Sequence, residues 1–156
     1  MTIADTAAAR FHQLRAQDGD VSPAALDDLW AQLPAVRAED ILGAWKGGEF
    51  RTGHPLNGML ATFKWFGKTM NSLSDVQPNM CYDENGELYS NVEIGNGEAS
   101  LWNVEFRGEV TATMVYDGRP VFDHFKRVDD NTLMGIMNAK DINAIGGYFY
   151  FLLERA

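Results

Sequence analysis

Chemistry in a chain this small would rest on a few side chains, and two histidines stand out as acid–base candidates. His54 sits in Thr52-Gly53-His54-Pro55, where backbone constraint on both sides would hold an imidazole in place. The competing reading is a turn histidine bonded to backbone. His124 lies in Phe122-Asp123-His124-Phe125. On a strand Asp123 and His124 point to opposite faces, so only one can enter a shared interior. Each has a phenylalanine on its own face, which leaves open which of them that is. His54, His124 and Asp123 are therefore the candidate catalytic residues.

Candidate ligand contacts come from the same neighbourhoods. Trp45, Phe50, Trp65 and Phe122 would line an apolar cavity, with His54, His124 or Lys68 at its polar end. Lys68 follows Trp65-Phe66-Gly67, where its ammonium would meet an anionic ligand head at the mouth of a barrel; a solvated lysine is the plainer reading. Tyr116 adds a hydroxyl to an apolar lining, although tyrosines at such positions pack first. No spacing in the chain matches a zinc site, a phosphate-binding glycine loop or a Gly-x-Ser-x-Gly elbow. The expectation is no cofactor and no metal. Cys81 is the only cysteine, and without a cationic neighbour it reads as a buried, inert thiol.

Composition narrows the partners. With 156 residues, 46% hydrophobic and 22% charged, the chain resembles an ordinary globular protein. Its formal net charge of −9 repels nucleic acid and anionic membrane surfaces. There is no apolar run long enough to span a bilayer and no secretory start, so a cytoplasmic location is expected. The expected partner is a hydrophobic small molecule or lipid, with no nucleic acid and no integral membrane segment.

The elements that must position these residues follow from periodicity. Residues 6–17 place Ala7, Phe11 and Leu14 at helical spacing. Ser22-Pro23 then opens a second helix carrying Leu26, Leu29, Trp30 and Leu33, which Pro34 stops. This makes residues 1–36 a helical arm whose apolar stripe needs a cover, by packing on the barrel, capping it or forming a homodimer. Gly43 to Arg51 reads as a kinked strand, and residues 55–66 as a helix through Leu56, Met59, Leu60 and Phe63. Thr69 to Tyr82 fits either strands or a loop. Six strand-like runs follow, at 88–94, 101–107, 109–116, 121–128, 133–139 and 148–154, separated by turn signals such as Asp117-Gly118. Trp102, Val104 and Phe106 share one face of their strand. The last run is apolar on both faces, so an element must also cover it from outside.

Three joined motifs carry a resemblance. Gly43-Ala44-Trp45-Lys46-Gly47, Thr52 to Pro55, and Trp65-Phe66-Gly67-Lys68 resemble the bacterial GXWXG protein family. Val104 to Gly108, Ala112 to Asp117 and Asp123-His124-Phe125 resemble the domain of unknown function that usually follows it. The resemblance spans roughly residues 38–155. It implies a small β-barrel with accessory helices and binding of a lipid or hydrophobic ligand, and it supplies no catalytic residue.

The resulting expectation is a mainly β, antiparallel, lipocalin-like up-and-down barrel at 37–156, with Trp45 plugging one end and one inserted helix. The Gly-x-Trp-x-Gly segment occupies about 38–70 and the meander about 84–155. An α+β cone, with helices filling a curved sheet, is the alternative. The expected function is capture of a hydrophobic small molecule in the barrel. The alternatives are a small cofactor-independent isomerase, cyclase or lyase using His54 or His124, and a protein interaction module acting through the arm.

Overall fold

A computed structural model describes residues 2–156. Helix α1 (Ile3–Arg15) starts at Thr2, whose hydroxyl and the Asp5 carboxylate form a reciprocal capping box. Helix α2 (Pro23–Gln32) is capped by Ser22 with Pro23 in its first turn, as its sequence predicts. Nine strands follow: β1 (Gly43–Glu49), β2 (Trp65–Ser72), β3 (Asp75–Tyr82), β4 (Leu88–Ser90), β5 (Ala99–Phe106), β6 (Glu109–Tyr116), β7 (Val121–Asp129), β8 (Thr132–Ala139) and β9 (Phe149–Arg155). The inserted helix α3 (Met59–Thr62) is a single turn.

Eight of the strands close into an antiparallel barrel. The order β2-β1-β9-β8-β7-β6-β5-β3 returns to its start through the β2–β3 pairing, and β4 hangs from β3 outside the ring. Closure removes the free edges that an open sheet would expose. The interior is filled by strand side chains, among them Trp45, Met70, Leu101, Met114, Phe125, Phe151 and Leu153. The helices lie outside, against a second apolar cluster of Phe11, Leu26, Trp30, Phe106, Ile136, Tyr150 and Leu152. A cone filled by helices is thereby excluded. Strand β9 shows the division directly: Phe149, Phe151 and Leu153 belong to the inner cluster, Tyr150 and Leu152 to the outer one.

The link after the arm is woven into the barrel wall. Strands β6 and β7 pair only over Thr113–Val115 and Phe122–His124, and then separate. Residues 34–36 fill the gap. Arg127 N donates to the Pro34 carbonyl, Ala112 N donates to the Val36 carbonyl, Val36 N donates to Thr111 Oγ1, and Ala35 bridges Lys126.

Several local expectations change. The helix expected at 55–66 shrinks to one turn, because Gly58 and Lys64 take positive φ on either side of it. Thr69 to Tyr82 resolves into most of the β2–β3 hairpin. The run at 88–94 supplies only β4 and then turns, so it is no barrel stave. On β5 the inward residues are Ala99 and Leu101, whereas Trp102 is 59% exposed and Phe106 packs under the arm.

Candidate functional site

Strand β1 closes one end of the barrel. Gly43 has φ +125°, which lets the chain turn into the strand next to the Arg155 side chain. Trp45 is buried, its indole N–H donates to the Ile41 carbonyl at 2.9 Å, and the Arg155 guanidinium lies 4.1 Å from the centre of its ring. Two residues on, Gly47 leaves room for the Trp65 indole, which would collide with any Cβ at that position. The Gly-x-Trp-x-Gly motif thus plugs one end with Trp45 and seats an aromatic wall with Gly47.

That wall belongs to a cavity at the other end. Leu56, Met59, Leu60, Phe63, Trp65, Ile94, Tyr116, Met137 and Phe149 enclose about 150 Å³. Beneath it a recess of about 50 Å³ adds Lys68, Asp123 and Phe151, with Asn79 bordering both spaces. A larger open groove of about 410 Å³ crosses the outside of the plugged end among Arg37, Asp40, Arg127 and Arg155, where Arg37 and Arg127 pair with the exposed carboxylates of Glu39 and Asp130.

Lys68 Nζ and Asp123 Oδ2 are 3.0 Å apart, with each side chain only 3% exposed. The ammonium also reaches the Pro78 carbonyl at 3.4 Å and lies 5.5, 5.7 and 5.5 Å from the ring centres of Trp65, Tyr116 and Phe151. Burial pushes the Asp123 carboxyl above its ordinary range, with the Lys68 charge opposing it. Burial likewise raises the Tyr116 phenol well above its usual value; the Asp123 charge adds to this and the nearby Asn79 amide opposes it. A desolvated pair of this kind is a weak source of stability, since apolar side chains of similar volume often serve as well.

The roof of the cavity is the stretch from Pro55 to Phe63, and His54 anchors it. His54 Nδ1 accepts from Leu56 N at 3.0 Å and Nε2 donates to the Gly147 carbonyl at 2.9 Å, which fixes the tautomer. Asn57 Oδ1 accepts from the N–H groups of Thr52 and His54, while Glu49 Oε1 takes Asn57 Nδ2 and Gly58 N. Both ring nitrogens of His54 are therefore engaged by backbone, so it shapes the roof and does not line the cavity.

Of the residues singled out by sequence, Trp65, Lys68, Tyr116 and Asp123 come together here. Lys68 sits beneath the mouth in the interior, not at the rim where it was expected. Trp45 lies inside the barrel but at the plugged end. His124 faces outward: its Nδ1 is 2.9 Å from Thr113 Oγ1, Asn138 Nδ2 is 3.2 Å from its Nε2, and its ring stacks on Phe106 at 3.9 Å. Burial and the Arg107 charge lower its pKa to about 4. Phe122 is on that outer face too, and Phe50 packs edge-on against Phe11 beneath the arm. The cavity therefore excludes Phe50, His54, Phe122 and His124. Cys81 is buried, and burial pushes its thiol up. Asn79, Met137 and Phe149 were not anticipated. No local signal pointed to the last two, since β8 and β9 carry apolar residues on both faces.

Two segments of the chain match known families. Residues 28–86 match the GXWXG protein family, and residues 97–155 match a domain of unknown function, DUF4334. The chain belongs to the GXWXG family. Lys68 comes from the first segment and Asp123 from the second, so the buried pair joins the two halves of this family pairing. A crystal structure described as that of a protein from Thermomonospora curvata aligns at a TM-score of 0.87 and 35% identity, covering 97% of this chain and 99% of that one. No curated protein matches the chain.

Proposed function

We propose that the protein binds a small, mainly apolar molecule in the cavity at the open end of its barrel, with the molecule's polar end directed at Lys68 and Asp123. The observation that carries this reading is a desolvated ion pair at the floor of an otherwise apolar cavity. A pair that contributes little to stability is well suited to orienting a guest, and concave apolar sites with a few convergent polar groups are the usual form of small-molecule sites. A dry cavity of about 150 Å³ holds a guest the size of benzene, so a ring-sized molecule is favoured over a long acyl chain. The outward placement of His124 and the backbone engagement of His54 count against an isomerase or lyase built on those histidines, and leave Asp123 as the catalytic candidate that borders the cavity. The arm buries its stripe against its own barrel, which weakens the interaction-module reading.

Native mass spectrometry of the freshly purified protein, followed by organic extraction, tests the reading. A stoichiometric apolar guest of ring size is the expected result. A bare chain whose tryptophan fluorescence stays unchanged across a panel of small apolar compounds would overturn it.

A further inference from the structure

We infer that the polar end of the guest is a hydroxyl group, seated between Asp123 Oδ1 and Asn79 Nδ2; this rests on the binding reading above. Lys68 occupies Asp123 Oδ2, while Oδ1 is buried without a hydrogen-bond partner. Asn79 Nδ2 is likewise buried and makes no hydrogen bond of normal length, the Tyr116 phenol being a polar group near its amide. Asp123 and Asn79 are 2% and 4% exposed, and both border the recess under the main cavity. Among the described residues two other buried polar atoms lack partners, Trp30 Nε1 and Glu49 Oε2, but their residues line neither space. Leaving such atoms unpaired carries their full desolvation penalty, so a group that satisfies both gains on two counts.

The pairing of atom types selects the group. Oδ1 is an acceptor and Nδ2 is a donor, and both residues border one recess, so the complement is a group that both donates and accepts. A hydroxyl does this with a single non-hydrogen atom, which suits a recess of about 50 Å³ better than a bulky head. An aldehyde or ketone oxygen could accept from Asn79 but would set an acceptor against Oδ1. A carboxylate would bring a second negative charge to Asp123. An ammonium could donate to Oδ1 but would face the Lys68 charge and offer Asn79 nothing. The guest class is therefore a small apolar alcohol, with its ring among Leu60, Trp65, Tyr116, Met137 and Phe149 and its oxygen in the recess.

Calorimetric or fluorescence titration of the wild-type chain with toluene, benzyl alcohol, benzaldehyde, benzylamine and benzoate at neutral pH separates these groups on one skeleton. Benzyl alcohol is expected to bind at least tenfold more tightly than the other four. Asn79→Ala should reduce that advantage to a few-fold while leaving toluene affinity unchanged. Equal binding of toluene and benzyl alcohol would overturn the hydroxyl seat and leave the binding reading standing. Preference for benzaldehyde, with a borohydride-trapped adduct on Lys68, would overturn it in favour of a carbonyl site. No binding by any member would sink both readings. The wild-type series needs no variant to fold.

Discussion

Among the described residues two lysines are buried, Lys68 and Lys126, and they serve different ends. Lys126 lies under the arm, where its ammonium donates to the Trp30 carbonyl at 3.0 Å and to Glu109 at 2.7 Å, over the Trp30 ring. Its carboxylate partner is 47% exposed and keeps contact with water. Lys68 is almost as buried, but its partner Asp123 is buried too and keeps one oxygen unmatched beside open space. Burial and an aromatic neighbour are common to both, so neither marks a site. The distinguishing features are an unsatisfied counter-ion and an adjoining cavity. Lys126 staples two layers together, whereas Lys68 has the surroundings of a ligand contact.

The comparison can be broken at several points. The largest effect is expected from removing residues 1–36, which strips the outer layer and takes 34–36 out of the gap between β6 and β7. Loss of a cooperative urea transition is predicted; a truncated chain that still unfolds cooperatively would show that the inner barrel stands alone. Lys68→Met should be next, because it leaves Asp123 buried without its counter-charge, at a cost of roughly 3–5 kcal/mol. Replacing Asp123 by Leu in the same chain should restore most of that loss, as read by urea denaturation.

Lys126→Met should cost less, about 1–2 kcal/mol, since Glu109 can return to water and only the Trp30 carbonyl loses a donor. If it proves the more damaging of the two lysine changes, the contrast drawn above is wrong. A further effect concerns pH on the outer face. His124 titrates near 6.5 in the unfolded chain and about 4 when folded, so the unfolded state takes up the proton first as pH falls. Stability contributed by neutral His124 is whole above about 6.5 and declines towards 4. His124→Gln should flatten that part of the urea-midpoint profile, and an unchanged slope would assign it to other groups.

Much of the outer layer was legible from sequence, and less of the inner site. The arm could be read because Ser22-Pro23 and the spacing of Leu26, Leu29, Trp30 and Leu33 are local signals, and the two-faced β9 announced its outer cover. The roof was misread because Leu56, Met59, Leu60 and Phe63 mimic a long helix in a stretch that is mostly turn, and the β2–β3 hairpin was hard to read because Pro78 interrupts its second strand. Alternation could not orient β7, because its outward side chains are buried as well, Lys126 under the arm and His124 against Phe106. Nothing local links Lys68 to Asp123. Their meeting depends on barrel closure bringing β2 and β7 face to face across the interior.

The Trp45 plug makes the interior a blind alley. On the binding reading proposed above, a guest could not pass through the barrel, so arrival and departure would share one doorway beneath the stretch from Pro55 to Phe63. A resident molecule would bar the next until it left, and a competitor could not push it out from behind.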